Sequence, residues 1–257
     1  MSPGPLSGGF RPAYFEQLAA LEERNFWFRA RNRLIGWAVA KYFPEARSFF
    51  EVGCGTGFVL SGLARSLPEL ELYGSELFAE GLIFAAARLP RANLVQMDAR
   101  WMALNGSVDV IGAFDVLEHI HEDERVLCEM YNALRPGGGV VITVPQHEFL
   151  WSKQDEYAHH VRRYAVAELR DRLQAAGFSV TRMTSFVSFL LPAMYLSRQK
   201  KKRGDAFDPL DELKIGQTMN SVLERILAFE LVLIRKGINF PAGGSLLAIA
   251  HKRRSRK

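Results

Sequence analysis

Apolar positions along the chain switch between two periods. Over 12–43 they recur at helical spacing, first Tyr14, Phe15, Leu18 and Leu21, then Leu34, Ile35, Trp37, Ala38, Val39 and Tyr42, and the run stops at Pro44. This spacing predicts one helical region. Short apolar runs then alternate with helical stretches. Strands are expected at 48–53, 71–75, 93–97, 108–114 and 138–144, and helices at 58–67, 79–88 and 123–134. Arg135-Pro-Gly-Gly-Gly139 reads as a turn into the fifth strand. A helix over 166–176 stops at Gly177, and a strand follows over 178–187. The pattern lapses over 190–244 and returns as an apolar strand at 245–251. Such alternation implies a parallel sheet covered on both faces.

The first strand ends in Glu51-Val-Gly53-Cys54-Gly55-Thr-Gly57, after the apolar residues Phe49, Phe50 and Val52. Phe58, Val59, Leu60, Leu63 and Ala64 then open a helix. Glycines at alternate positions let the chain turn sharply and let a ligand lie against bare backbone. A dinucleotide fingerprint would place its last glycine where Phe58 stands. Acids follow near the ends of the successive strands, at Glu76, Asp98 and Asp115.

This pattern resembles the class I S-adenosylmethionine-dependent methyltransferases, whose first motif is an acid followed by x-G-x-G-x-G. The resemblance covers roughly 46–190 and 244–252. It implies an α/β fold with a doubly wound, seven-stranded mixed sheet of Rossmann-like type. The strands at 178–187 and 245–251 would form its final antiparallel pair. The chain would then divide into an N-terminal arm and helical lid (1–45), a core (46–189), a helical insertion (190–244), and a last strand with a basic tail (245–257). The implied cofactor is S-adenosyl-L-methionine. Gly53, Cys54, Gly55 and Gly57 would run beneath its methionine and ribose, and Glu51 would face the amino acid end. Glu76, with Leu77 beside it, would accept both ribose hydroxyls, because a carboxylate takes two donors at once. Asp98 would accept the adenine amino group beside the Ala99 backbone, with Phe78, Met97 and Trp101 packing on the ring. Asp115 would wall the site. The plain alternative for each acid is a helix cap or turn former.

Asp115-Val-Leu-Glu118-His119 admits a second reading. Ubiquinone-pathway O-methyltransferases and small-RNA 3′-end methyltransferases carry an acid-x-x-Glu-His variant that holds a divalent metal. Asp115, Glu118 and His119 fit that spacing, and His160 before Tyr164 matches the later histidine of the RNA enzymes. Carboxylate and imidazole donors suit magnesium, manganese or zinc. The metal is secondary to the nucleotide cofactor in this reading.

The stretch from Trp151 to Tyr164 is the richest in polar residues outside the glycine loop. It resembles a segment of bacterial methyltransferases of polysaccharide and lipid-linked sugar pathways, with Ala165 where those proteins carry a Ser or Thr cap. Methyl transfer to oxygen needs a nucleophile that loses its proton, and a histidine can take it. His160 is the first candidate base, with His159 and His119 behind it; the alternative is a structural hydrogen-bonding role. Arg162 and Arg163 would pair with Asp155 or Glu156, or grip an acceptor's phosphate or carboxylate. The aromatic–arginine segment 26–33 would form a lid, with Arg31 or Arg33 on the methionine carboxylate, or else would simply pack in the core.

Composition narrows the partners. The 257 residues are 48% hydrophobic, enough for a sizeable core, and carry a net charge of +5. Two clusters, 198–203 and 252–257, hold five cations each. The rest of the chain is acidic on balance, so basicity is local and nucleic acid is the weaker partner. Such clusters suit an anionic membrane surface, or else are solvated ends. Two cysteines suggest no disulfide framework and a cytoplasmic setting, with peripheral membrane contact as an extension. Residues 1–10 read as a short arm without a signal sequence. No apolar run reaches the roughly 18–20 residues of a membrane span. The apolar stretch 186–196, which contains Pro192, and the wide apolar face of 222–234 suggest a greasy surface within the insertion. The acceptor expected is small or lipid-linked, a saccharide or a quinone-like phenol methylated on oxygen. RNA 3′-end methylation and a non-catalytic cofactor-binding or membrane scaffold are the alternatives. Oligomeric state leaves no trace in the sequence.

Overall fold

The computed structural model describes residues 14–201 and 215–253. The chain builds a seven-stranded sheet in the order β3-β2-β1-β4-β5-β7-β6. Central β1 (Ser48–Val52) is buried along its whole length and pairs in parallel with β2 (Glu71–Glu76) and β4 (Val108–Phe114). β3 (Asn93–Gln96) edges β2, and β5 (Leu134–Pro145) lies beside β4. β7 (Ser245–Lys252) enters antiparallel between β5 and β6 (Phe178–Phe186), which gives the final antiparallel pair. Strands covered on both faces read as continuous apolar runs, and β1, β4, β5 and β7 do so; edge strand β3 does not.

One face of the sheet packs against α2 (Phe26–Tyr42), α3 (Phe58–Ser66), α4 (Ala79–Arg88) and α9 (Gln217–Arg235). The other packs against α5 (Asp123–Ala133) and α7 (Val166–Ala175). α1 (Tyr14–Glu22) lies against α4. From β1 the chain runs outward to β2 and β3, then returns to β4 on the other side of β1. That reversal opens a crevice beyond the carboxyl ends of β1 and β4, where open α/β sheets bind ligands.

The structure corrects several sequence expectations. The helix expected over 12–43 is two helices, α1 and α2. Asn25 adopts an extended backbone and caps α2 by accepting the Trp27 amide. Asn220 of α9 accepts the Phe26 amide from across the fold. The turn expected at 135–139 belongs to β5, which starts at Leu134 opposite Val108 and absorbs a register shift before Val110. Asp109 supports that irregular stretch by accepting Arg135 at 3.0 Å and the Ser48 amide at 3.0 Å.

Between β6 and β7 lie α8 (Leu191–Lys201) and α9. Pro192 sits in the first turn of α8, where a missing amide hydrogen is harmless. α9 is bound to the core on its inner side. Glu230 accepts the amides of Ser188 and Phe189 at 2.8 and 2.9 Å, and Glu224 pairs with Arg29 and Arg33 of α2. No helix among the described residues is long and apolar enough to cross a membrane. The N-terminal arm, residues 202 and 203 of the first basic cluster, and the tail from 254 lie outside the described residues.

The contact between α2 and α3 depends on a glycine. A Cβ at Gly62 would strike the amide of buried Asn32, which donates to the Phe58 carbonyl at 2.9 Å. Gly62→Ala would gain roughly 0.5–1 kcal/mol of helix propensity. It would lose more by expelling Asn32 from its bond, so a net destabilisation of about 1–2 kcal/mol is expected in urea unfolding. A variant as stable as the parent would contradict this packing.

Candidate active site

The loop after β1 takes three left-handed steps, with φ of +66° at Gly53, +51° at Gly55 and +74° at Gly57. Side chains rarely adopt this conformation, and a Cβ on Gly53 would also stand 2.6 Å from a Val116 methyl. Within the turn Cys54 donates its amide to the Ser75 carbonyl and Gly57 to the Cys54 carbonyl, while Gly55 is held by Glu76 at the end of β2. Its Oε2 accepts Gly55 at 2.9 Å, and its Oε1 accepts Leu77 at 2.8 Å and Phe78 at 3.2 Å. Burial raises the Glu76 pKa, and these amides oppose the rise. A carboxylate offers about four acceptor positions, so three are already filled. The acid expected to accept both ribose hydroxyls is first a clamp on the loop, and taking both would require it to release an amide.

Glu51 is buried with Oε2 unpartnered. Burial raises its pKa well above the usual range, against the pull of Arg31. The Cys54 thiol is buried and its pKa is pushed far up, which suits packing rather than reactivity. Asp98 is engaged by Arg100 at 2.7 Å, and Arg100 also reaches Glu122 at 3.2 Å. Ala99 packs with the cluster under α5, and exposed Trp101 lies 3.2 Å beneath the Arg125 guanidinium. The adenine contacts expected of Asp98 and Trp101 therefore compete with existing partners.

α1 lies over the glycine loop. The Phe15 ring sits 6.4 Å from that of Phe78 and would be 3.9 Å from a Cβ on Gly55. A latch that sequence reasoning missed holds it there. The Thr56 hydroxyl donates to Glu22 at 2.6 Å, and Arg88 of α4 donates to Glu22 at 2.6 Å and to the Ala19 carbonyl at 3.0 Å. Three residues so far apart in sequence share no local signal.

A polar cluster lies beyond the ends of β4 and β5. Asp115 leaves β4 with φ +57° and is paired with Arg31, whose guanidinium lies 4.5 Å over the Trp27 ring. Of the two arginines considered for the methionine carboxylate, Arg31 enters the cleft and Arg33 turns to Glu224. Glu118 is fully buried, and neither carboxylate oxygen has a partner. Burial, then the charge of Asp115, raises its pKa well above the usual range. The chain around the His119 ring desolvates it and, together with His160, lowers its pKa to about 3, so it is neutral at ordinary pH. Its Nδ1 is unpartnered.

His160 meets His119 edge-on, with ring centroids 4.7 Å apart. Asp155 organises this region. One oxygen accepts the Ser152 amide at 2.8 Å and its hydroxyl at 3.0 Å, capping α6 (Lys153–Tyr157). The other meets His160 Nδ1 at 2.9 Å and accepts Arg163 at 2.8 Å. Burial acts to raise the Asp155 pKa, but His160 and Arg163 together bring it down to about 2. Asp155 is placed to accept from Nδ1 of His160, the tautomer that would leave a lone pair on Nε2, 4.0 Å from Glu118. His159, the next candidate, sits beside the cluster in a left-handed conformation.

Glu118, His119 and His160 offer ligand atoms within 4.8 Å of one another. Asp115, the fourth member of the expected metal set, is instead bound to Arg31. Arg163 pairs with Asp155 as expected, but Arg162 reaches Asp123 at 2.6 Å. Asp123 also accepts the Tyr164 hydroxyl at 2.5 Å and pairs with Arg172. Gln146, fully buried beside this cluster with both side-chain polar atoms unpartnered, was not singled out from the sequence.

The depressed Asp155 pKa makes a stability prediction. The group adds about 2 kcal/mol above the unfolded carboxylate pKa of about 3.9, and that gain is lost as pH falls through about 2. Asp155→Asn should be less stable than the parent by about 2–4 kcal/mol at pH 7, with the gap narrowing as urea titrations move into acid. A gap that stays constant with pH would contradict the ion-pair account.

A family model described as "Methyltransferase domain" matches residues 19–182, more than half of the chain. A Mycolicibacterium smegmatis protein named "probable S-adenosylmethionine-dependent methyltransferase" is 30% identical over 169 residues, which cover 63% of each chain. Trans-aconitate 2-methyltransferase of Variovorax paradoxus is 29% identical over 126 residues, 49% of this chain and 46% of that one. The chain thus spans less than two thirds of the length of these curated relatives. Among solved structures, the cyclase SpnF aligns with a TM-score of 0.60 and 18% identity, over 89% of this chain and 84% of its own. A Thermotoga maritima SAM-dependent methyltransferase, described as a possible histamine N-methyltransferase, aligns with a TM-score of 0.59 and 16% identity, over 94% and 95%. Identities this low speak to the fold alone. The glycine loop after β1, the acid closing β2 and the family match have one consequence: the chain belongs to the methyltransferase domain family of class I S-adenosylmethionine-dependent methyltransferases.

Proposed function

We propose that this chain transfers the methyl group of S-adenosyl-L-methionine to an oxygen of a small or lipid-linked acceptor, such as a saccharide or a quinone-like phenol. His160 is the general base. The observation that carries this reading is the Asp155–His160 pair at the ligand side of the sheet, with Nε2 on the Glu118 side. In the step, the acceptor hydroxyl oxygen attacks the methyl carbon. The carbon–sulfur bond breaks with its electron pair going to sulfur, and Nε2 takes the hydroxyl proton. General bases contribute roughly 10²–10⁴-fold.

The loop would carry the cofactor's methionine and ribose on the backbone of Gly53, Gly55 and Gly57. Glu51, buried with an unpartnered oxygen, suits the ammonium end. Arg31 would bind the carboxylate end by exchanging or sharing Asp115. The relatives named for trans-aconitate point to an alternative acceptor oxygen, that of a carboxylate. Such an acceptor needs no base, so its rate would not follow His160.

A second reading gives Glu118, His119 and His160 to a divalent metal. Three buried, unpartnered atoms favour it, and both imidazoles are held at a second point, His160 by Asp155 and His119 by the Ala158 backbone. A bound metal would supply Lewis acidity to the acceptor hydroxyl. Base and ligand roles exclude each other at His160 Nε2.

Transfer from methyl-labelled cofactor to a panel of lipid-linked saccharides, phenols, carboxylic acids and RNA tests these readings. His160→Ala is expected to lower the rate about 10²–10⁴-fold while leaving cofactor affinity unchanged, with no response to chelator. Full activity in that variant would overturn the base. Loss with chelator and recovery with zinc or manganese would favour the metal. Cofactor binding without transfer to any acceptor would favour a scaffold.

A further inference from the structure

Outside the cleft, among the described residues of the excursion between β6 and β7, one face of α9 is exposed. The helix packs inward through Leu227, Glu230, Leu231 and Ile234. On its outer side Val222, Arg225, Phe229, Val232 and Lys236 are all exposed. Their spacing of three and four residues places them on one stripe, in which two cations lie among three apolar side chains. The exposed rings continue beyond the helix. Phe229 stacks with Phe189, two residues before α8, at 6.0 Å. Tyr195 of α8 meets Phe149 at 6.2 Å, and Phe149 stacks on His147 at 4.8 Å, two residues past the end of β5. Exposed aromatic surface on α9 therefore continues onto the segment before α8.

Charge indicates what covers this face. Among the described residues of 186–244 the acids are Glu224 and Glu230, and both turn inward, one to arginines of α2 and the other to backbone amides. Arg225, Arg235 and Lys236 are exposed. Among the described residues of α9 the exposed charges are all positive, and a face of one sign repels a second copy of itself, since a two-fold contact sets like against like. It complements an anionic lipid surface, where cations reach the headgroups while neighbouring apolar side chains enter the interface. Just after Leu196 the sequence adds Arg198, Lys200, Lys201, Lys202 and Arg203, followed by the acids Asp205, Asp208, Asp211 and Glu212.

We propose that the outer stripe of α9, with Phe189 stacked against it, docks on an anionic bilayer surface. This docking is independent of the transfer chemistry, because none of its residues lies in the polar cluster of the cleft.

The test is co-sedimentation of the full chain with phosphatidylcholine vesicles, with and without phosphatidylglycerol, at low and high salt. Two variants are compared with the parent: Arg225→Gln/Arg235→Gln/Lys236→Gln, and Val222→Ser/Phe229→Ser. A third, with Lys200, Lys201 and Lys202 changed to Gln, separates the sequence cluster from the helix. Circular dichroism and urea midpoints confirm that each is folded. The parent should pellet only with anionic vesicles, and less at high salt. The α9 cation variant should partition on the order of a hundredfold more weakly, and the apolar variant should also lose binding. No pelleting of the parent, or parent-like binding by both α9 variants, would overturn the proposal. So would a concentration-dependent dimer, seen by sedimentation velocity and abolished by the apolar variant, because a second copy would then be the occupant.

Discussion

Backbone that turns through left-handed glycines exposes amide hydrogens that no regular element satisfies, and the rest of the cleft depends on how these are held. Here backbone carbonyls hold Cys54 and Gly57, and one carboxylate holds Gly55 between them. Glu76 reaches back from the end of β2 to the Gly55 amide and closes on its own successors, Leu77 and Phe78. Two neighbouring strand ends become one unit. Thr56, within that turn, passes the constraint to α1 through Glu22 and Arg88, so the covering helix is fixed to the loop it covers. The geometry of the glycines is thus converted into the shape of the crevice.

A second carboxylate plays the matching part across the crevice. Asp155 caps α6 through Ser152, pairs with Arg163 and orients His160. Held in this way, His160 stands beside the Glu118 carboxylate and His119 Nδ1, which are buried without hydrogen-bond partners. Unsatisfied buried polar atoms are costly in a core, and they are tolerated where a ligand will complete them. Unpartnered buried atoms occur on both sides of the cleft, at Glu51 Oε2 beside the glycine loop and in the Glu118–His160 cluster.

Much of the fold was legible because it rests on local signals. Continuous apolar runs marked β1, β4 and β7, and the glycine spacing marked the turn. What escaped was long-range. The break between α1 and α2 looked like uninterrupted helix, because the Asn25 cap is only half of the device and the other half, Asn220, arrives from α9. Glycines at 137–139 signalled a turn, yet pairing with β4 drew them into β5. Arg162 was assigned to nearby acids, whereas it reaches Asp123 on α5. Asp98 looked free for adenine but is held by Arg100, a partner two residues away that charge patterning alone would have shown. The capping pair Ser152 and Asp155 was also readable at its three-residue spacing.

The claim on which the account turns is that the Glu76-clamped loop is the cofactor cradle. Calorimetric titration of S-adenosylhomocysteine into the parent and into Glu76→Ala tests it most directly. The account predicts one site per chain in the parent and a loss of about 1.5–3 kcal/mol of binding free energy in the variant, provided unfolding measurements show it to be folded. Equal affinity in a folded Glu76→Ala protein, or no binding to the parent, would contradict it.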